Sequence, residues 1–173
     1  MEALKARRSI RAYSARKLSD QTLANLLWAA DGVNRDDGKR TAPSAMNWQE
    51  VDIYLAAADG IYLYDAKANN LAFLYIYDVR ALTGTQPFVK EAPLNLVFVA
   101  DYAKMGRASD EDKAVLAAAD TGFISQNVYL FCASEGLATV VHGGIDRTPL
   151  SKVLKLRPEQ KIVLAQAVGY PAE

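Results

Sequence analysis

Three arginines and a serine lie close together near the start of the chain, in the order Arg7-Arg8-Ser9-Ile10-Arg11. A guanidinium group offers a fixed fork of N–H donors that matches two phosphate oxygens, and a serine hydroxyl beside it can donate to a third. These residues predict a phosphate site at the end of a short N-terminal helix. The same residues also fit a solvated basic surface, because runs of charge are commonly exposed.

The composition makes this basic cluster a local feature. The 173 residues contain 20 Lys and Arg and 20 Asp and Glu, so the formal net charge is zero and no nucleic acid is expected as a partner. The length and the 51% apolar content predict a single domain over residues 1–173. No apolar run approaches the roughly 20 residues of a membrane span, so no membrane is expected and a cytoplasmic location is favoured. A leader removed from a longer precursor stays an open alternative.

The single cysteine, Cys132, lies in an apolar helical stretch. It cannot form a disulfide within the chain, and we expect a small buried side chain rather than a nucleophile. No metal site is predicted.

Hydrophobic spacing and turn residues predict the elements that position the basic cluster. A helix capped by Ser19 is expected to end at Gly32, and Asp59-Gly60 is expected to join two strands as a hairpin. An almost wholly apolar run over 94–100 predicts a central strand. The full set is a helix over 2–8, a helix over 20–31, strands over 51–57, 61–64, 94–100 and 162–170, a long helix over 110–136 and a short helix from Thr148. This order, without a regular βαβ alternation, predicts an α+β layer fold.

The long helix contains a run of small side chains, namely Ala117, Ala118, Ala119, Gly122 and Ser125. Small side chains let another helix approach closely. Either a neighbouring helix of the same chain or a partner subunit explains the run.

Four separated motifs follow one another in an order that resembles the nitroreductase family of FMN-dependent oxidoreductases. They are Arg7-Arg8-Ser9-Ile10-Arg11, Ala42-Pro43-Ser44-Ala45-Met46-Asn47, Gly136-Leu137 with His142-Gly143-Gly144-Ile145-Asp146, and Val168-Gly169-Tyr170-Pro171. The resemblance covers nearly the whole chain. Within the family, the hairpin over 59–65 is similar to that of the azoline-forming peptide dehydrogenases.

The resemblance implies an antiparallel, mixed-edge sheet flanked by helices, and a homodimer with two FMN sites at its subunit interface. It also implies ping-pong transfer of two electrons from NAD(P)H to a nitroaromatic, quinone or similar small-molecule acceptor, with the chemistry supplied mainly by the flavin. Two alternatives stay open. One is a flavin-dependent dehydrogenase of a peptide or heterocycle, which would need a base from residues 62–90; the other is a flavin-binding protein without NAD(P)H turnover.

Carried over by position, the basic cluster would hold the cofactor. Arg7 and Ser9 would bind the FMN phosphate, Arg8 would support it, and Arg11 would reach the pyrimidine side of the flavin. A fixed cation there would stabilise the negative charge that reduction leaves on the ring. The alternative for Arg11 is an ion pair with a surface carboxylate.

Two further segments are implied at the ring. Pro43, Ser44 and Asn47 match a loop that reaches the flavin from the other subunit. Gly143 and Gly144 match the segment whose backbone N–H groups point at flavin N5 and O4, where glycine permits a close approach.

Three more residues complete the expected site. Val141 and His142 would lie beside the glycines, and His142 is favoured as a packing or backbone contact over a general acid. Asn127 and Asp120 lie seven apart on one face of the long helix. Asn127 is the expected flavin contact, whereas Asp120 would cap a segment or pair across the dimer.

The chain departs from the family pattern in two places. No basic residue follows Pro171, so the cluster at 7–11 would carry more of the charge and FMN would bind less tightly. A segment over 75–90 stands where relatives carry a helical excursion over the flavin. Substrate and donor preference is therefore not inherited from the family.

Overall fold

A six-stranded sheet forms the centre of the computed structural model, which describes residues 1–172. The spatial order is β3-β2-β1-β4-β6-β5, and all five neighbouring pairs are antiparallel, including both edge pairs. The strands are β1 (Val51–Ala57), β2 (Gly60–Asp65), β3 (Asn70–Tyr75), β4 (Leu94–Asp101), β5 (Ala138–His142) and β6 (Gln160–Gly169). The predicted α+β class and antiparallel sheet are confirmed, but the mixed edge that the resemblance implied is wrong for residues 1–172, because both edge strands pair antiparallel with their neighbours.

Five helices surround the sheet: α1 (Glu2–Ala6), α2 (Asp20–Asp31), α3 (Phe88–Glu91), α4 (Asp110–Ser134) and α5 (Arg147–Val153). The longest, α4, begins where the Ser109 hydroxyl accepts a hydrogen bond from the Asp112 N–H at 3.1 Å. Three acidic residues in its first turn interact favourably with the positive end of the helix dipole and stabilise the helix. Gly136 follows the helix with a φ of 68°, a conformation that favours glycine.

Both faces of the sheet are covered by apolar side chains. On one face, Leu55 and Phe98 pack with Leu26 of α2 and Val128 of α4. On the other face, β-strand side chains, among them Val97, pack against α5. Because β4 lies between these two layers, all eight of its residues are buried.

The predicted elements are confirmed apart from the end of α1 and from α3, β3 and β5, which the sequence did not predict. Helix α1 ends at Ala6 instead of residue 8, because Arg7 has an extended backbone (φ −53°, ψ 121°). The basic cluster therefore lies on an extended segment. Two strands, β3 and β5, were not expected from the sequence, and β5 directly precedes the Gly143-Gly144 pair.

Two smaller expectations concern single features. Cys132 is fully buried, and burial raises the pKa of its thiol to about 12, as expected for a packing residue. Within residues 1–172, no helix combines the length and apolarity that crossing a bilayer requires.

Candidate cofactor site

The basic cluster lies along the outer side of β5. The Ile10 N–H donates a hydrogen bond to the Thr139 carbonyl at 3.0 Å, which fixes the extended segment to this edge strand. The Tyr13 hydroxyl donates to the Ile10 carbonyl at 2.9 Å and holds the other side of the same residue. Arg7, Arg8, Ser9 and Arg11 are therefore held beside β5, the strand that leads into the glycine pair.

None of the three arginines is neutralised by a carboxylate of the described chain. The six ion pairs among residues 1–172 involve neither Arg7 nor Arg8 nor Arg11. Arg8 and Arg11 are exposed, and the Arg7 guanidinium lies over the Tyr129 ring, 5.2 Å from its centroid. Arg11 forms no ion pair with a surface carboxylate of the described chain, so that alternative is not found there.

Tyr129 of α4 joins the N-terminal segment to β5. Its hydroxyl lies 2.8 Å from Ser9 Oγ and accepts a hydrogen bond from the Val141 N–H at 3.0 Å. The side chain is only 7% exposed, whereas Ser9 is exposed. Sequence reasoning missed this residue, since the only signal was a hydroxyl on a helix of mostly apolar and small side chains.

Gly143 and Gly144 present backbone donors directly after β5. Neither N–H has a hydrogen-bond acceptor among the described residues, while the Gly144 carbonyl accepts from the Thr85 N–H at 2.7 Å. A Cβ on Gly144 would lie 3.0 Å from Thr85 Oγ1. The segment at Gly84-Thr85, not singled out from the sequence, therefore packs against the glycine pair and bounds the site.

His142 packs inward from the last position of β5. Its ring meets the Phe88 ring edge-on at 5.6 Å between centroids, and a Cβ on Gly84 would lie 2.7 Å from His142 Cε1. Neither ring nitrogen has a partner in the described chain. Burial lowers the pKa of His142 to about 4, so the ring is neutral near pH 7. This environment favours the packing role over the general acid.

The loop with Pro43, Ser44 and Asn47 contacts α4 at Asp120, away from Tyr129. Ser44 Oγ accepts a hydrogen bond from the Gln49 N–H at 3.0 Å, and Asp120 accepts one from the Ala45 N–H at 2.8 Å. Pro43 and Asn47 are exposed. Asp120 precedes Tyr129 by nine residues, which is about 13.5 Å along a helix. One chain therefore does not bring this loop to Ser9.

The donor set near Ser9 fits FMN. Three guanidinium groups and an exposed hydroxyl suit a phosphate, and two free N–H groups on glycines suit the acceptor atoms of a planar ring. The described residues contain no cluster of three or more His, Cys, Asp or Glu that could hold a metal ion. The arrangement is one of hydrogen-bond donors and positive charge.

Comparison with known proteins identifies the family. The sequence model of the nitroreductase family matches residues 4–170. The chain belongs to the nitroreductase family. The membership supports an oxidoreductase and accounts for the order of the four sequence motifs.

Individual relatives agree with this membership. A nitroreductase homologue of Methanocaldococcus jannaschii is 30% identical over 166 residues, which cover 90% of this chain and 84% of the relative. The crystal structure of a nitroreductase homologue from Ralstonia eutropha JMP134 is 38% identical, with a TM-score of 0.95 over 99% of this chain and 82% of that one. A protein of Vibrio harveyi named NADPH-flavin oxidoreductase is 24% identical over 99% of this chain, which spans 65% of that relative.

Beneath the 43–47 loop, this nitroreductase-family chain buries three carboxyl groups, those of Asp31, Glu50 and Asp120. Arg40 forms an ion pair with Asp31, yet burial outweighs the pair and raises the pKa of Asp31 to about 7. Burial, together with the neighbouring Asp120 carboxylate, also raises the pKa of Glu50 to about 7. No sequence pattern indicated this cluster, because its members are far apart in the chain.

Along α4, Asn127 lies between Asp120, which contacts the 43–47 loop, and Tyr129, which contacts Ser9. Its side-chain N–H donates to the Ala30 carbonyl of α2 at 3.2 Å. That hydrogen bond links the two helices, so a flavin contact from Asn127 would come from its carbonyl oxygen and stays a prediction.

Proposed function

We propose that this protein is an FMN-dependent oxidoreductase that takes two electrons from NAD(P)H and passes them to a small acceptor such as a nitroaromatic compound or a quinone. One observation carries the proposal. Three arginines without a carboxylate partner in the described chain flank an exposed serine, next to a strand that leads into two glycines with free N–H groups. This donor set matches a phosphate joined to a hydrogen-bonding ring.

The residues have distinct roles in this proposal. Arg7, Arg8 and Ser9 hold the phosphate, and Arg11 supplies a fixed positive charge on the pyrimidine side of the ring. Gly143 and Gly144 donate their N–H groups at the ring edge, and the lack of side chains lets the backbone approach closely. When bound, FMN supplies a site that accepts hydride and passes two electrons on.

Val141 and His142 act mainly through their backbone and packing. Val141 donates its N–H to Tyr129, which sets the end of β5. His142 fills the space between Phe88 and Gly84 and keeps the strand in place before the glycines. No protein side chain needs to act as a nucleophile.

The choice of NAD(P)H as donor rests on relatives. The Vibrio harveyi relative is named for NADPH and flavin, and the family is named for nitro compounds. These names support the donor and acceptor classes.

We also propose a homodimer that completes two such sites. The exposed side of α4 carries Val115 and Phe123, which are 64% and 48% exposed, beside small residues. A Cβ on Gly122 would have no atom within 4 Å, so the helix surface there is open to a close partner. A dimer would also let the loop with Pro43, Ser44 and Asn47 reach the flavin of the other subunit.

Absorbance spectra test the cofactor and the donor together. The purified protein is titrated with FMN and then, without oxygen, with NADH and with NADPH. We expect a flavin spectrum that bleaches with at least one nucleotide and returns when a nitroaromatic compound or quinone is added. Sedimentation should give twice the mass of one chain.

Other outcomes separate the alternatives. A protein that binds FMN but is bleached by neither nucleotide would support the peptide or heterocycle dehydrogenase, or a flavin-binding protein without turnover. Absence of FMN binding at high concentration would contradict the proposal.

A further inference from the structure

We propose that Tyr129 is a positioning residue that turns the Ser9 hydroxyl hydrogen outward, toward the cofactor phosphate. The inference rests on the proposed function, because it assigns a phosphate to Ser9. It concerns a residue of α4 that touches neither the phosphate nor the ring in this assignment.

The direction of the hydrogen bond between the two hydroxyls follows from burial. Tyr129 is buried and its oxygen already accepts from the Val141 N–H at 3.0 Å. Its own hydrogen has Ser9 Oγ, at 2.8 Å, as its acceptor in the described chain. A buried donor without an acceptor is costly, whereas an exposed serine loses little by pointing its hydrogen at solvent.

Tyr129 therefore donates and Ser9 accepts. The Ser9 hydrogen is left free to donate to an anion outside the chain. If the direction were reversed, the phenol hydrogen would be buried without a partner, and Ser9 would have no hydrogen left for a phosphate oxygen.

The ring of the same tyrosine holds a second member of the cluster. The Arg7 guanidinium lies over its face at 5.2 Å from the centroid, a distance at which a cation is attracted to the ring. The hydroxyl thus orients Ser9, and the ring restrains Arg7. Both groups are set before a ligand arrives, which reduces the entropy lost on binding.

Through Val141, the same hydroxyl connects the phosphate-binding segment with the strand that carries Gly143 and Gly144. The links are Ser9 to Tyr129 and Tyr129 to the Val141 N–H. The spacing between the phosphate end and the ring end of the site is therefore set by this side chain of α4 together with the Ile10–Thr139 backbone hydrogen bond.

A double-mutant cycle on FMN affinity tests the inference. Y129F keeps the ring over which Arg7 lies and removes only the hydroxyl, and S9A removes the group that the hydroxyl orients. We expect Y129F to weaken FMN binding about 3- to 10-fold, the usual effect of one hydrogen bond. In the S9A background, Y129F should weaken FMN binding less than it does in the unaltered chain, since only the Val141 hydrogen bond is then left to lose.

Riboflavin supplies the control ligand, because it lacks the phosphate. Its affinity should fall less than that of FMN in Y129F, because both ligands sense the lost Val141 hydrogen bond but only FMN senses the lost orientation of Ser9. The matched control variant is Y102F, a tyrosine whose hydroxyl has no hydrogen bond within residues 1–172, and it should leave both affinities unchanged. Thermal melting without flavin measures any general loss of stability in each variant.

Hydrogen exchange on the unaltered chain gives a test that needs no substitution. We expect FMN to slow exchange of the Val141 N–H more than riboflavin does, because the phosphate fixes Ser9 and, through it, Tyr129.

The inference and the proposed function fail in different ways. If the unaltered chain does not bind FMN, the proposed function is wrong. If it binds FMN but Y129F has no effect, or has the same effect whether or not S9A is also present, Tyr129 does not act through Ser9. Equal losses for FMN and riboflavin would likewise contradict the phosphate as its target.

Discussion

The surroundings of Tyr129 and of Asp120, two residues of α4, differ in the sign and the burial of their charged groups. Around Tyr129, the guanidinium groups of Arg8 and Arg11 are exposed and have no carboxylate partner in the described chain. Around Asp120, the Glu50 and Asp31 carboxyl groups are withdrawn from water. Helix α4 therefore packs beside an exposed cationic segment near Tyr129 and beside a buried acidic cluster near Asp120.

Solvation explains why each arrangement is stable. An exposed guanidinium keeps its hydration, so leaving it unpaired costs little and preserves it for a ligand. A buried carboxylate loses its hydration, so it must take up a proton or gain a partner. Arg40 supplies a partner for Asp31, yet burial raises the pKa of both Asp31 and Glu50 to about 7, so each carboxyl group is partly protonated near neutrality. We therefore propose that a ligand binds at the Tyr129 end, whereas at the Asp120 end the Asp120 carboxylate holds the 43–47 loop.

Removing one arginine should have the largest effect, and only on binding. R7Q and R11Q should each weaken FMN binding about 10- to 100-fold, since each removes a charge-assisted hydrogen bond worth about 1.5–3 kcal/mol. Flavin fluorescence quenching measures the affinity. Melting temperature without flavin should stay unchanged in R11Q, whose side chain forms no ion pair within the described chain, and should fall only slightly in R7Q, which loses the contact with the Tyr129 ring.

The control for this prediction is R107Q, which removes an exposed arginine just before α4 that also has no ion pair in the described chain. It should leave FMN affinity unchanged. If R107Q and R11Q weakened binding equally, net charge rather than the local site would explain the affinity.

Local sequence signals predicted the parts of the fold that depend on neighbouring residues. The Ser19 cap and the Asp59-Gly60 turn are set by a few adjacent side chains, and both are found where expected. Strand β5 has only five residues and runs into two glycines, so its pattern was too short to stand out. Its place at the sheet edge comes from pairing with β6, which no local pattern encodes.

The residues of the candidate site also fall into two groups, those with a local sequence signal and those without one. The arginines and glycines carried a recognisable order along the chain, and in the structure the arginines lie beside β5, the strand that the glycines follow. Tyr129 and Glu50 carried none, because their importance comes from what the fold places beside them. Tyr129 meets Ser9 across 120 positions of the chain. The loop at 43–47 matched a motif, yet α4 holds it away from Ser9, and only a second subunit would unite them.

A substitution at Gly84 tests whether tight packing maintains the Tyr129 end. In G84A, the new methyl group would lie 2.7 Å from His142 Cε1, which forces the ring or the strand to shift. We expect a loss of about 1–3 kcal/mol in the free energy of unfolding, typical of an overpacked core. Chemical denaturation measures it.

A second substitution identifies the contact responsible. In an H142A background, G84A should cost less, because the clashing ring is gone; Val89 still lies near the new methyl group, so recovery should be partial. Equal losses in the two backgrounds would show that His142 and Gly84 are not coupled.

Removing the Glu50 charge should have the smallest effect, and it should depend on pH. The folded chain keeps the Glu50 proton up to about pH 7, whereas the unfolded chain releases it near the ordinary value of 4.5. Stability from this group is therefore present below pH 4.5 and is lost as the pH rises toward 7. E50Q keeps a hydrogen-bond donor beside Asp120 without a titrating proton, so it should match the unaltered chain near about pH 4.5 and melt about 2–4 °C higher at about pH 8, equivalent to about 1 kcal/mol.

Folding lowers the pKa of His142 whereas it raises the pKa of Glu50, so the two groups change stability with pH in opposite directions. Titration therefore separates their effects. The pKa of His142 falls to about 4 on folding, so its contribution is present above the unfolded value of 6.5 and is lost as the pH falls toward 4. In the unaltered chain the two slopes oppose each other between pH 4.5 and 6.5. Asp31, whose pKa is also raised to about 7, adds to the fall of stability with pH, and Asp120 and Lys104 face Glu50. E50Q should therefore flatten that fall in this range, and H142N should steepen it. Melting curves at half-unit pH steps would contradict the assignment if both variants moved the slope in the same direction.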